Sequence, residues 1–320
     1  MNYDHLEFTK PLLLGVGKFG AKIVNEANKT TKFDYMLISN NLIDLDNTEN
    51  SVYVDCSPWL NPTVCRIRGF VDKVLEEIKS RLDKYSTIII IANLASTVGT
   101  AMAPILSNIS KANEKTIVSF VTMPLGFETD KLYDSSVSLR KLFSTSSTTF
   151  IINNDAFIKY YPSISIEDLY RITNSALIEV IKSISKMTIY GDKNVISTSV
   201  LNLDFECTIK DSIGVMFSSI GKDSIGDSII QVSGINNESV GNLDQIFLLV
   251  RNTLAEGSND NVAVSVTDSG QTNVNIITSV KSYSIFDSYD PLSIIPDESW
   301  LDRDEVDSAL DINLPLINID

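Results

Sequence analysis

Apolar residues in the first half of this chain fall into short unbroken runs, separated by stretches where they recur every three or four positions. Pro11–Leu14, Asp34–Ser39, Ser86–Ile91, Thr116–Thr122 and Thr148–Ile152 read as strands covered on both faces, with Val52–Asp55 as a shorter extended piece. Helical patterns lie between them. One opens at Ala21, and one after Asn61-Pro62 carries Val71, Val74, Leu75, Ile78 and Leu82; two more run over 105–112 and 135–143. Strict alternation of strand and helix predicts an α/β fold, a parallel doubly wound sheet with right-handed crossovers. Ligands of such sheets sit beyond the carboxyl ends of the strands, where the polar loops of this chain fall.

The second half changes character. Ser165-Ile-Glu-Asp168 is a capping box, with Ser at the cap and an acid three residues on. It opens a long helix with Leu169, Tyr170, Thr173, Leu177, Val180 and Ile181 on one broad face. Gly214–Ile220, Ser228–Gly234, Asn261–Val266 and Asn273–Val280 read as strands, and Leu243–Leu254 as an amphipathic helix. From Asp287 to Asp320 the chain carries ten acids and one base, Arg303, interrupted by Pro291, Pro296 and Pro315, which predicts a disordered tail. The expected organisation is therefore a first domain over 1–164, a connecting helix over 165–187, a smaller α+β domain over 188–286 and an acidic tail over 287–320.

Composition narrows the function. The 320 residues, 43% of them apolar, suffice for a sizeable core. A net charge of −15 repels nucleic-acid backbones and anionic membranes, and no run of Lys and Arg with interleaved aromatics offsets it, so no nucleic-acid partner is expected. Cys56, Cys65 and Cys207 lack metal-ligand spacing, and their odd number argues against a disulfide framework. No protein-held metal site is expected. His5, the only histidine, stands at the N-terminus, which argues against a Ser-His-Asp or Cys-His centre. No signal peptide opens the chain and no apolar run is long enough to span a bilayer, so the expected location is cytoplasmic, without membrane insertion.

Gly15-Val-Gly17-Lys-Phe-Gly20 has the spacing G-x-G-x-x-G between a strand and a helix. Its glycines permit torsions and close approach that a β-carbon blocks. The helix behind them offers free N–H groups and a positive dipole end to a phosphate. A dinucleotide-dependent oxidoreductase would carry an acid at the end of the second strand, where Ser39-Asn40-Asn41 stands instead.

Other loops carry a family resemblance. Ala92–Pro104 aligns without a gap to the FtsZ signature A-G-M-G-G-G-T-G-T-G-A-A-P, keeping Ala92, Gly99, Thr100, Ala103 and Pro104. Three glycines there are Ala95, Ser96 and Thr97, and the first threonine is Val98. Pro124-Leu-Gly-Phe127-Glu128 resembles the P-F-N-F-E ribose loop, and Asn154-Asp155 the N-D loop. From Leu12 to Tyr283 the chain resembles the tubulin/FtsZ superfamily, closer to FtsZ. The resemblance implies a Rossmann-like GTPase-type domain, a central helix and a smaller α+β C-terminal domain, binding GTP or GDP with magnesium as the accompanying cation. It places Gly15, Gly17, Lys18, Gly20, Lys22, Ser96, Thr97, Gly99 and Thr100 at the phosphates and Glu128 at the ribose. Lys18 and Lys22, which replace a glycine and an asparagine of the family, add cations there.

On the central helix, Tyr170 and Asn174 occupy the places of an aromatic and an asparagine that hold guanine; at i and i+4 they share a face. Ser199-Val-Leu-Asn202-Leu-Asp204-Phe-Glu-Cys207 resembles the catalytic pattern N-x-D-F-x-D, which in the family enters the neighbouring subunit's site. Asn202 and Asp204 are kept, but the second acid is Cys207, a thiol that at its ordinary pKa of about 8.5 is mostly neutral at pH 7. Losing one carboxylate of this kind lowers a rate by roughly one to several orders of magnitude. Asn252-Thr-Leu254 and Asn259-Asp-Asn261 sit where the family shows N-T-I and S-D-N. A family helix between the first two C-terminal strands is missing on this reading, since only 221–227 intervenes. Leu310–Ile319 resembles the family's partner-docking tail peptide.

What the resemblance implies is a cytoskeletal protein of cell division, or of phage or plasmid segregation. It would assemble head to tail into filaments on guanine nucleotide, with weak or lost hydrolysis. The alternative is a pseudo-GTPase, a binding or scaffold module that keeps the fold without turnover, as the β-carbons of 95–98 suggest.

Overall fold

The computed structural model of the chain describes residues 11–31, 33–45, 49–57, 59, 61–184, 191–200, 205–220, 224–233, 262–267 and 273–281. Its strands are β1 (Pro11–Val16), β2 (Asp34–Ser39), β3 (Ser51–Tyr53), β4 (Thr87–Asn93), β5 (Thr116–Thr122), β6 (Thr148–Ile152), β7 (Lys193–Ser197), β8 (Ile225–Ser233), β9 (Val262–Thr267) and β10 (Asn273–Val280). They form one sheet in the order β3-β2-β1-β4-β5-β6-β7-β10-β8-β9. All neighbours from β3 to β7 are parallel. Beyond that point β10 runs antiparallel to both β7 and β8, and β9 parallel to β8.

The helices are α1 (Gly17–Thr31), α2 (Val64–Val71), α3 (Leu75–Leu82), α4 (Thr97–Ala112), α5 (Thr129–Thr145), α6 (Asn154–Tyr160), α7 (Ile166–Ser183) and α8 (Phe205–Ile220). Side chains alternate across a strand, so each strand feeds two cores. Leu12, Leu14, Ile88 and Ile90 pack with Ile67, Ile78, Met102 and Leu106 on one face. Leu13, Ile89 and Ile91 pack with Ile23, Val24, Leu177 and Val180 on the other. Ile88–Ile91 are fully buried, each contributing about 1.5–3 kcal/mol of transfer free energy. The unbroken apolar run is what a strand between two helical layers needs.

β1 leads through α1 to β2 on one side, while β4 flanks it on the other. The loops after β1 and β4 therefore diverge at a topological switch point, the crevice where doubly wound sheets take ligands. Both helices there begin earlier than their apolar patterns predict, at Gly17 rather than Ala21 and at Thr97 rather than Ile105. The glycine-bearing loops are thus helix N-termini outright. Pro104 lies inside α4 and cannot donate to the Thr100 carbonyl. Ser138 Oγ of α5 donates to that carbonyl instead, at 2.8 Å.

Two expectations for the C-terminal part are corrected. Gly214–Ile220, expected as a strand, is the second half of α8, because Ile209, Ile213, Met216 and Ile220 bury at helical spacing. The β-branched and aromatic content of the stretch pointed the other way, and packing prevailed. The first C-terminal strand is instead β7, which no pattern announced; of 221–227, where a family helix is expected to be missing, residues 221–223 lie outside the described residues. The helix expected over 243–254, His5, Asn252–Leu254, Asn259–Asn261 and the tail with Leu310–Ile319 lie outside the described residues. Among the described residues no helix is long and apolar enough to cross a membrane.

Candidate functional site

At the switch point Gly17 takes φ +65°, the left-handed turn from β1 into α1. Gly15 and Gly20 serve close approach instead. A β-carbon on Gly20 would lie 2.4 Å from the Ile91 carbonyl oxygen of β4, and one on Gly15 2.8 Å from the Gly20 backbone. Lys18 and Lys22 are exposed one turn apart on α1. Val98, at the start of α4, lies against Gly17, so the structure brings both phosphate-type loops together.

The β4–α4 loop is held from within. Ser96 caps α4: its Oγ accepts from Gly99 N–H at 3.1 Å and donates to the Asn93 carbonyl at 2.8 Å. Asn93 Oδ1 accepts from Ala95 N–H, and Thr100 Oγ1 donates to the Leu94 carbonyl at 2.6 Å. Of the first-turn donors that a helix leaves free, those of Thr97 and Val98 remain at the N-terminus, while the Ser96 side chain holds that of Gly99. Ser96 thereby replaces a glycine's freedom with a fixed cap.

Glu128 stands at the start of α5. Its Oε2 accepts from Leu125 N–H at 2.9 Å, and its Oε1 pairs with Lys131. Asp155 Oδ1 accepts from Gly126 N–H at 2.9 Å and its Oδ2 pairs with Lys159, tying the β5–α5 loop to α6. Ser165 Oγ caps α7 by accepting from Asp168 N–H, as its pattern predicts. Tyr170 is half-buried on that helix. Burial pushes its phenol pKa up, and the nearby Glu128 charge adds to the shift. Asn174 Oδ1 is buried with no hydrogen-bond partner, and so is Asn154 Oδ1 at the start of α6. Asn154, only 3% exposed, was not singled out as a contact by sequence, although its N-D pair directly after a buried strand was visible.

Asn202 and Asp204 lie outside the described residues; Cys207 is half-buried in the first turn of α8. β7 runs parallel to β6, so its carboxyl end, Val200 and the start of α8 lie on the same sheet edge as Gly17 and Ser96. Among the described residues no group of three His, Cys, Asp or Glu is placed to hold a metal ion.

Residues 65–162, which include the Ser96 loop, Glu128 and Asn154, match the family model of the tubulin/FtsZ family GTPase domain. Over this stretch, about a third of the chain, the sequence is that of a divergent relative of the tubulin/FtsZ family. It is 25% identical over 150 residues to cell division protein FtsZ 1 of Pyrococcus woesei, covering 46% of this chain and 39% of that protein. FtsZ 2 of Methanocaldococcus jannaschii is 21% identical over 169 residues, covering 52% and 42%. The match thus spans about two fifths of the length of these curated FtsZ relatives. The fold is shared more widely. An empty FtsZ dimer from M. jannaschii superposes with a TM-score of 0.69 at 14% identity, covering 88% of this chain and 91% of that one. CetZ2 of Haloferax volcanii in a GTPγS-bound protofilament gives 0.62 at 14%, covering 89% and 98%. TubZ of Clostridium botulinum phage c-st gives 0.61 at 12%, covering 88% and 96%.

Proposed function

We propose that this chain is a cytoskeletal protein that binds guanine nucleotide at the switch point and assembles head to tail, with weak or lost hydrolysis. The observation that carries the reading is the meeting of two helix N-termini, at Gly17 and Thr97, at the switch point. The unpartnered Asn154 and Asn174 oxygens test the fit of the base: they are acceptors, and the N1–H and N2–H groups of guanine are donors. Tyr170 would stack on the ring. Lys18 and Lys22 would face the phosphates, and magnesium would arrive with them.

Assembly is supported by the surface of the same edge. Leu42, Ile43, Trp59, Phe127, Tyr160 and Ile166 are the large apolar side chains exposed among the described residues, Ile43 at 91%. Leu42, Ile43, Trp59 and Phe127 follow the carboxyl ends of β2, β3 and β5, whereas Ile166 opens α7 and Tyr160 closes α6 against Gly214 of α8. The first four fit a contact between copies. Hydrolysis is the weaker part, because Cys207 replaces an acid. A tail partner for Leu310–Ile319 rests on sequence alone, as a groove capturing its leucines and isoleucines.

Calorimetry on protein freed of nucleotide tests the binding site. GTP and GDP are expected to bind, with ATP at least about tenfold weaker because its base edge lacks the paired donors. Ser96 favours the alternative of a module without nucleotide, since its hydroxyl already holds Gly99 N–H. No binding of GTP or GDP at millimolar concentration would establish that alternative.

A further inference from the structure

Two tyrosines at the end of α6 converge on one carboxylate of α8. Tyr160 Oη donates to Asp211 Oδ1 at 3.1 Å and Tyr161 Oη to Asp211 Oδ2 at 2.8 Å. The Tyr161 hydroxyl also accepts from the backbone N–H of Val200, where the chain leaves β7. The Tyr160 ring lies against α8 at Gly214, where a β-carbon would come within 2.3 Å of Cε2. The mid-helix glycine is thus what lets the ring sit there. Ser199 Oγ donates to the Thr208 carbonyl, and Ser212 Oγ to Ser199 Oγ, so the chain entering and leaving the 201–204 connection is fastened to one helix. At its other end α6 begins at Asn154, with its unpartnered oxygen, and Asp155, bonded to the Gly126 N–H of the loop leading to Glu128.

We propose that Tyr160, Tyr161 and Asp211 form a positioning joint that carries the state of the nucleotide edge, through α6, to α8 and the end of β7. Neither tyrosine is a catalytic residue; they act through the elements they hold. The joint is short: Asn154 is the first residue of the seven-residue helix α6 and Tyr160 the last, with Tyr161 next. A packed helix gripped at both ends transmits a small displacement because interiors are dense and little is lost to compression. The transmission part rests on the nucleotide-site reading above; the grip itself does not.

Backbone amide exchange separates the two, with the double variant Tyr160→Phe/Tyr161→Phe, which keeps both rings and removes both hydroxyls. In nucleotide-free protein, amides of 205–216 are expected to exchange about tenfold faster than in the wild type, with α1 and α4 unchanged. Unchanged exchange in α8 would overturn the proposal. On adding GTPγS, α6 should slow in both proteins and α8 in the wild type alone; an equal response of α8 in the variant would overturn the transmission. If GTPγS slows neither α1, α4 nor α6 in the wild type, the nucleotide reading has failed, and the nucleotide-free comparison decides the grip alone. Should the double variant not fold, Tyr160→Phe alone gives the same readings at smaller amplitude, and an α8 unmoved by it would count against the joint.

Discussion

Gly99 has no room for a side chain: a β-carbon there would stand 2.1 Å from the Asn93 carbonyl oxygen. Gly99→Ala is therefore expected to lower stability by about 1–3 kcal/mol, read from the urea midpoint. Gly69, on the exposed face of α2, has nothing within 4 Å of the same position, and Gly69→Ala should raise stability by roughly 0.5–1 kcal/mol. The contrast separates a glycine required by contact from one that is merely tolerated. Asn174 poses the opposite case, a polar atom buried without a partner. Such an atom costs folding free energy, so Asn174→Ala should leave stability unchanged or slightly higher while weakening GTP binding by about tenfold or more. A large loss of stability with affinity intact would show that Asn174 serves the fold and not a ligand.

At the scale of elements, α4 shows how a helix interrupted by proline is repaired by its neighbour. Removing the Ser138 hydroxyl with Ser138→Ala would strand the buried Thr100 carbonyl and is expected to cost about 1–3 kcal/mol by chemical denaturation. The α6–α8 joint has a pH signature. Burial, then the hydrogen bond to Asp211, raises the Tyr161 phenol pKa above its ordinary range. A raised pKa stabilises the fold below the unfolded value of about 10 and loses that contribution as pH rises past it. Melting temperature should thus fall more steeply above that pH in the wild type than in the Tyr160→Phe/Tyr161→Phe variant. The central strands and the cap of α7 were legible because unbroken apolar runs and a Ser-x-x-Asp box have few other readings. α8 was not, since Val215 and Phe217 suit a strand and only the burial of Ile213 and Met216 decides for a helix. β7 was hidden for a different reason: Lys193 and Asn194 are polar yet buried, so its position in the sheet left no apolar run to read. Much of the site was visible as loops after strands, but the side-chain pairing that occupies Glu128 and Gly99 depends on partners brought in by folding.

For the whole molecule, one sheet joins the glycine-loop half to the C-terminal strands through β7, and the described loops with candidate phosphate and ribose residues follow the carboxyl ends of β1, β4 and β5. That edge carries the switch point, the unpartnered Asn154 oxygen at the start of α6 and the exposed Phe127. A second copy meeting it would cover Phe127 and Ile166 and enclose a bound nucleotide between subunits. Assembly and nucleotide occupancy should accordingly rise together, whereas hydrolysis can be slow without affecting either. The most direct measurement is sedimentation with electron microscopy of the same samples, without nucleotide and with GTP or GTPγS, scoring bound nucleotide in the pellet. The account predicts filaments that form with guanine nucleotide, retain it, and persist at least as long in GTPγS as in GTP. No filaments under any of these conditions, with no guanine nucleotide bound, would contradict it.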